Sequence, residues 1–233
     1  MKLLSLLFVP KCVSCGKRLS PENDAPLCKE CSERWEKEKS ARCNTCGQPI
    51  ASCWCGVKAD VKHNIIAERH LANYNPSAES VSKRIIFAMK KKAYRPLFDK
   101  IGAELANEIK RFIEDPEKTV LVNVPRIKRS VREYGFDQAL VLSESISAVL
   151  GVPVVEALEH IGSTKQKKLD LKGRTANAKK SFSVLEKHKA EIKGKRVILV
   201  DDLVTSGATS ARCAQLLKRA GAERVYLACV AKA

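Results

Sequence analysis

The stretch RVILVDDLVTSGATS, Arg196 to Ser210, gathers side chains able to hold a small polar ligand. Asp201 and Asp202 close an apolar run, and Thr205, Ser206, Gly207, Ala208 and Thr209 follow where a core would use leucine. Carboxylates accept hydrogen bonds and repel phosphate, so two adjacent acids suit a partner rich in hydroxyl donors. The hydroxyls, a glycine that lets the backbone come close and a helix starting near Ala208 form an anion cradle. Together they fit a sugar phosphate, with ribose hydroxyls on the acids and a 5′-phosphate in the loop. Neither G-x-x-x-x-G-K-[ST] nor G-x-G-x-x-G occurs, which sets aside P-loop and dinucleotide chemistry.

A second chemistry lies upstream. Cys12, Cys15, Cys28 and Cys31 form C-x2-C-x12-C-x2-C, and Cys43, Cys46, Cys53 and Cys55 form C-x2-C-x6-C-x-C. Each C-x2-C turn aims two thiolates at one tetrahedral ion, so these are zinc sites. Four thiolates leave no open position for a water nucleophile, which makes the metal structural. Sequential pairing of the quartets is the simpler arrangement, although interleaved pairing would use the same knuckles. A region of about 60 residues with few aromatics needs metal binding to supply its folding free energy.

The elements that must position these groups follow from periodicity. Val81, Ile85, Ile86 and Met89 share one helical face, and Leu97, Ile101, Leu105, Ile109 and Phe112 define a second helix after Pro96. TVLVNVP reads as a buried strand stopped by Pro125. A helix is expected from about Phe136 to Leu150, with Ala139, Leu142, Ile146 and Val149 on one side and Gly151 as its stop. VPVVEAL, KRVILVDD and RVYLACVA read as further strands, and TSARCAQLLKRAG as a helix. Residues 162–180 are polar and basic and are expected to form a mobile loop. Strands alternating with helices predict an α/β fold with a parallel sheet, the boundary falling near residue 60: a Cys-rich part over 1–60 and an α/β domain over 61–233.

Composition bounds the rest. The 233 residues are 45% hydrophobic and 30% charged, and no apolar run reaches the roughly 18 residues of a membrane helix, so no membrane insertion is expected. The opening MKLLSLLFVPKC lacks a small-residue cleavage site and is read as a short helix against the small domain rather than a signal peptide. Confinement of the zinc-type spacing to the first 55 residues, with only Cys213 and Cys229 beyond, favours metal binding in a reducing cytoplasm over a disulfide scaffold. A formal charge of +17 favours polyanions without saying which. Tyr74, Tyr94 and Trp35 are isolated and are assigned to packing rather than base stacking, and Lys90, Lys91 and Lys92 serve a helix C-terminus as readily as a nucleic acid.

VILVDDLVTSGAT resembles the signature of type I phosphoribosyltransferases, which bind phosphoribosyl pyrophosphate (PRPP). VNVPRIKRSVREYGFDQA and TKQKKLDLKGRTANAKKSF resemble two further segments of the ComF/GntX family, which joins a double zinc ribbon to a phosphoribosyltransferase-like domain with helices on both faces of its sheet. The match departs at Tyr134, where that family usually has arginine. The resemblance implies that the PRPP loop is Asp201, Asp202, Thr205, Ser206, Gly207, Ala208 and Thr209. It implies that Pro125 and Arg126 approach the pyrophosphate with Arg129 and Arg132 nearby, and that a loop bearing Lys165, Gln166 and Arg174 closes over the ligand. Mg²⁺ would bridge the pyrophosphate to the ribose hydroxyls. It further implies a competence factor that binds PRPP and helps internalise single-stranded DNA alongside DNA-uptake or helicase proteins. The alternatives are an active transferase acting on a nucleobase or amine, and a PRPP sensor without turnover.

Overall fold

A computed structural model describes residues 9–20, 25–55, 57–161 and 181–233. The expected opening helix and the loop bearing Lys165, Gln166 and Arg174 lie outside the described residues.

Each cysteine quartet begins in the same backbone device. The Cys12 N–H donates to the Lys17 carbonyl at 2.8 Å and the Gly16 N–H to the Cys12 carbonyl at 2.9 Å; Cys43 to Gln48 and Gly47 to Cys43 repeat the pattern at 2.9 and 2.8 Å. Gly16 and Gly47 take φ of 77° and 69°, a left-handed conformation that glycine adopts without a Cβ penalty. After the first knuckle comes α1 (Lys29–Lys39), and after the second a 3-10 turn (Ile50–Ser52) and α2 (Ala59–Asn64).

The remaining chain runs β1 (Glu68–Asn73), α3 (Val81–Lys91), α4 (Arg95–Ile109), β2 (Thr119–Asn123), α5 (Lys128–Tyr134), α6 (Gln138–Leu150), β3 (Leu158–His160), β4 (Phe182–Val184), α7 (Lys189–Ile192), β5 (Arg196–Val204), α8 (Ala208–Arg219) and β6 (Arg224–Lys232). Four strands form an all-parallel sheet in the order β1-β6-β5-β2, and β3 pairs antiparallel with β4. Ile198, Val200, Tyr226, Ala228 and Val230 share one core with α3, α4 and α6. Val197, Leu199, Val225, Leu227 and Cys229 share the other with Cys213, Ala214 and Leu217 of α8 and Val61 and Ile65 around α2. Side chains alternate along a strand, so this division shows that β5 and β6 are covered on both faces. Helices α4 and α6 pack tightly at Gly102, where a Cβ would come within 2.6 Å of Ser145 Cβ.

The structure differs from the expectations in several places. VPVVEAL is not a full strand: Val154 makes one parallel bridge to Leu121 on the outer side of β2. The helix expected from Phe136 begins at Gln138, because the Asp137 carboxylate accepts the Ala139 and Leu140 N–H groups at 2.9 and 3.2 Å and caps it. Val149 is exposed rather than on the buried side. Strand β1 escaped the periodicity because its inward residues include Glu68 and His70, each only 1% exposed.

Candidate ligand site and cysteine centres

The chain leaves β2 through α6 on one face and reaches Val154 outside β2; it leaves β5 through α8 on the opposite face and reaches β6. The connections after the neighbours β2 and β5 therefore diverge, which opens a crevice beyond their carboxyl ends, the place where open α/β sheets bind ligands. β2 stops at Asn123 while β5 continues to Val204, so Asp201 and Asp202 lie within the strand and beside the end of β2.

That overhang explains the local bonding of the acids. The Val124 N–H donates to the Val200 carbonyl at 2.8 Å, the last ladder bond between the two strands. The Asp202 N–H, next along that edge, instead donates to Asp201 Oδ1 at 2.8 Å. Being consecutive in a strand, the two side chains leave opposite faces of the sheet. Asp202 is buried, and its Oδ2 lies 3.2 Å from Lys90 Nζ at the end of α3. Asp201 is half-buried; desolvation of its carboxyl group and then the Asp202 charge push its pKa well above the usual carboxylate value, against the pull of Lys90.

Gly207 sits at φ 74° as the N-cap of α8, with no side chain capping the helix. Ser206 Oγ accepts the Ala208 N–H at 3.5 Å, and Thr205 is exposed. A Cβ on Gly207 would stand 2.8 Å from Val61 Cγ2. The turn is thus held against α2, which follows the second cysteine quartet.

The turn after β2 is built around Arg126. Its N–H donates to Asp137 Oδ2 at 2.6 Å, and its guanidinium lies over Tyr134 at 4.5 Å and Phe136 at 5.8 Å and donates to the Lys90 carbonyl at 3.0 Å. Burial raises the Asp137 pKa, while the N–H groups of Arg126, Leu140 and Ala139 pull it back. Arg129 and Arg132 are exposed on α5. The structure therefore brings the turn after β2, the acid pair and the α8 N-terminus to one end of the sheet. Lys90 reads from the sequence as a residue at a helix C-terminus, with nothing to connect it to this site. It lies 112 positions before Asp202, and no spacing rule joins them.

Each quartet comes together sequentially: the sulfurs of Cys12, Cys15, Cys28 and Cys31 lie within 4.8 Å of one another, as do those of Cys43, Cys46, Cys53 and Cys55. Cys15 Sγ to Cys28 Sγ is 3.7 Å and Cys46 Sγ to Cys53 Sγ is 3.8 Å. A tetrahedron with metal–sulfur bonds of about 2.3 Å has edges of roughly 3.8 Å, so the donor set fits zinc. N–H groups of Cys46 and Thr45 lower the Cys43 thiol to about 6, whereas contact with the Cys46 and Cys53 sulfurs pushes Cys55 up to about 12. Thiols this close do not all ionise unaided, and a divalent ion removes the opposition.

The ribbons are fastened to the α/β part at different places. Trp35 of α1 is fully buried and its indole N–H donates to Glu104 Oε2 at 2.7 Å. Glu38 accepts the Val81 and Ser82 N–H groups at 2.8 and 2.9 Å, capping α3 from a distant part of the chain. On the other side Lys232 Nζ reaches the Cys53 carbonyl at 3.5 Å and Glu68 Oε1 at 3.0 Å.

Comparison with known proteins agrees with this architecture. The family model for a double zinc ribbon domain matches residues 3–61, and that for a phosphoribosyl transferase domain matches residues 137–233. The chain is 31% identical over 144 residues to Competence protein F of Haemophilus influenzae, covering 57% of this chain and 62% of that protein. It is 25% identical over 214 residues to the DNA utilization protein YhgH of Escherichia coli, covering 88% and 90%. It is 30% identical over 134 residues to the amidophosphoribosyltransferase of Escherichia coli, covering 56% of this chain and 24% of that enzyme. The chain thus spans less than two thirds of the first and third of these relatives.

The fold, the two family matches and the cysteine clusters define a phosphoribosyltransferase-type α/β domain preceded by a double zinc ribbon. Competence protein F and YhgH are relatives of the chain, similar to it over 57% and 88% of its length. Among the described residues no helix is long and apolar enough to cross a membrane.

Proposed function

We propose that this ComF-like protein binds PRPP with Mg²⁺ in the crevice between β2 and β5 and acts, in the cytoplasm, on single-stranded DNA during natural transformation. The observation that carries the ligand is the convergence of an acid pair with an uncapped, glycine-led helix N-terminus where the connections diverge. Asp201 and Asp202 would accept ribose hydroxyls, and Thr205 to Thr209 would surround the 5′-phosphate with N–H and O–H donors. The turn from Pro125 would face the pyrophosphate, with Arg129 and Arg132 supplying positive charge. Mg²⁺, a hard ion, would take its oxygens from the ligand beside the carboxylates.

Calorimetric titration of the zinc-loaded protein with PRPP and Mg²⁺ tests the site. Binding by the natural protein and its loss in the Asp201→Ala, Asp202→Ala double variant supports the reading; equal affinity in both overturns it. The DNA role rests on the relatives' names and the charge of +17. Affinity for a single-stranded oligonucleotide should fall steeply with salt, because phosphate contacts release counterions. No gel shift at low salt removes this part.

The match to an amidophosphoribosyltransferase favours a second reading, transfer of ribose 5-phosphate to an amine or nucleobase. Acceptor-dependent release of pyrophosphate distinguishes it from binding alone.

A further inference from the structure

We propose that Lys90 is a ligand-exchange residue of the crevice: it neutralises Asp202 in the free protein and transfers its ammonium to the pyrophosphate when PRPP enters. This rests on the PRPP reading above. Three observations carry it. Lys90 Nζ stands 3.2 Å from the buried Asp202 Oδ2, occupying the carboxylate that would otherwise receive a ribose hydroxyl. The backbone of Lys90 is tied to the opposite wall, since its carbonyl accepts from the Arg126 guanidinium at 3.0 Å. Its side chain is 40% exposed, so it can turn about its own bonds while the backbone stays in place.

The charges give the exchange a direction. Without ligand, a buried carboxylate next to a second acid needs a cation, because an unpaired buried charge is costly. A pyrophosphate at the turn after β2 offers several negative charges to an ammonium already positioned there. The Arg126 guanidinium is occupied by the Tyr134 and Phe136 rings and the Lys90 carbonyl, whereas the Lys90 ammonium, among the described residues, already stands beside Asp202 and within reach of the turn after β2. Moving it to the pyrophosphate frees Asp202 for the sugar, so the two halves of the ligand help one another to bind. Ribose 5-phosphate, which has no pyrophosphate, must compete with Lys90 for Asp202.

The test is calorimetry with Mg²⁺ on the natural protein, Lys90→Gln and Lys90→Arg, using PRPP, inorganic pyrophosphate and ribose 5-phosphate as separate probes. Lys90→Gln should weaken pyrophosphate and PRPP at least tenfold while ribose 5-phosphate binds unchanged or more tightly. Lys90→Arg should keep pyrophosphate affinity within about threefold. A Lys90→Gln protein that melts as the natural one but binds pyrophosphate within twofold of it overturns the exchange. So does an equal loss for ribose 5-phosphate. Failure of the natural protein to bind PRPP overturns the site itself, a result distinct from failure of the lysine. If Lys90→Gln does not fold, Lys90→Arg decides: loss of pyrophosphate binding in that variant overturns the proposal.

Discussion

The two zinc ribbons begin alike and end differently. Both open with the same hydrogen-bonded knuckle, closed by a glycine at positive φ. In the first, Cys28 and Cys31 lie at the start of α1, both buried, and α1 is locked to α3 and α4 through Trp35 and Glu38. In the second, Cys46 is exposed and Cys55 half-buried, and the chain continues into α2, whose Val61 touches the glycine of the proposed phosphate loop. One metal centre is thus built into the scaffold and the other lies next to the site. Similar ligand chemistry serves different ends because the surrounding packing differs.

The largest effect should come from the buried centre. Cys31→Ser removes a thiolate from a site whose metal binding is worth about 10–16 kcal/mol, comparable with the whole stability of a domain. We expect loss of one zinc per chain and of the cooperative melting transition. Cys55→Ser should also lose one zinc yet leave the sheet melting within a few degrees, as metal analysis and calorimetry would record. Equal destabilisation by the two variants breaks the comparison.

Trp35→Ala comes next. Truncating a fully buried tryptophan costs roughly 3–5 kcal/mol, and the Glu104 carboxylate loses its indole donor. Denaturant titration should show that loss, while PRPP affinity per folded molecule stays the same. A fall in affinity would mean that the first ribbon, too, shapes the crevice.

Gly207→Ala tests the other attachment. The new Cβ meets Val61 Cγ2 at 2.8 Å and must adopt φ near 74°, a combined cost of about 1–3 kcal/mol. Val61→Ala in the same chain should recover the steric part, giving a coupling on the order of 1 kcal/mol in a double-mutant cycle. Strict additivity would show that α2 does not press on the loop.

The smallest effect has the opposite sign. Asp201 has its folded pKa raised by burial and by Asp202, so its ionisation favours the unfolded chain. Below the usual carboxylate pKa, about 4, both states hold the proton and the residue is neutral in the balance. As pH rises the unfolded chain ionises first, and stability falls until the raised folded value is passed. Asp201→Asn should remove that decline, melting at a higher temperature than the natural protein at pH 7 while binding PRPP less tightly. A lower melting temperature at pH 7 would show that the carboxylate is compensated.

The legible parts were those governed by local rules. Helices α3 and α4 followed from Val81, Ile85 and Met89 and from Leu97, Ile101 and Leu105, because one apolar face at helical spacing must be buried. Strand β1 was not legible: Glu68 and His70 are buried beside Lys232 and offer no apolar alternation. The loop from Asp201 to Thr209 was found as a run, but its two acids leave opposite faces because β5 stays extended through both of them to Val204, past the end of β2. Neither strand's sequence contains that length difference.

What the residue order alone settled is chemistry within short reach: paired thiolates in each C-x2-C turn, two carboxylates ending an apolar run, a glycine opening a helix. Folding decided which distant groups meet them, namely sequential closure of the quartets, Lys90 on Asp202, Glu38 on the α3 N-terminus and Val61 on Gly207. The reason is physical. Turn geometry and side-chain alternation act over a few bonds, whereas an ion pair between residues far apart in sequence forms only when helices and sheet have packed and excluded the water between them.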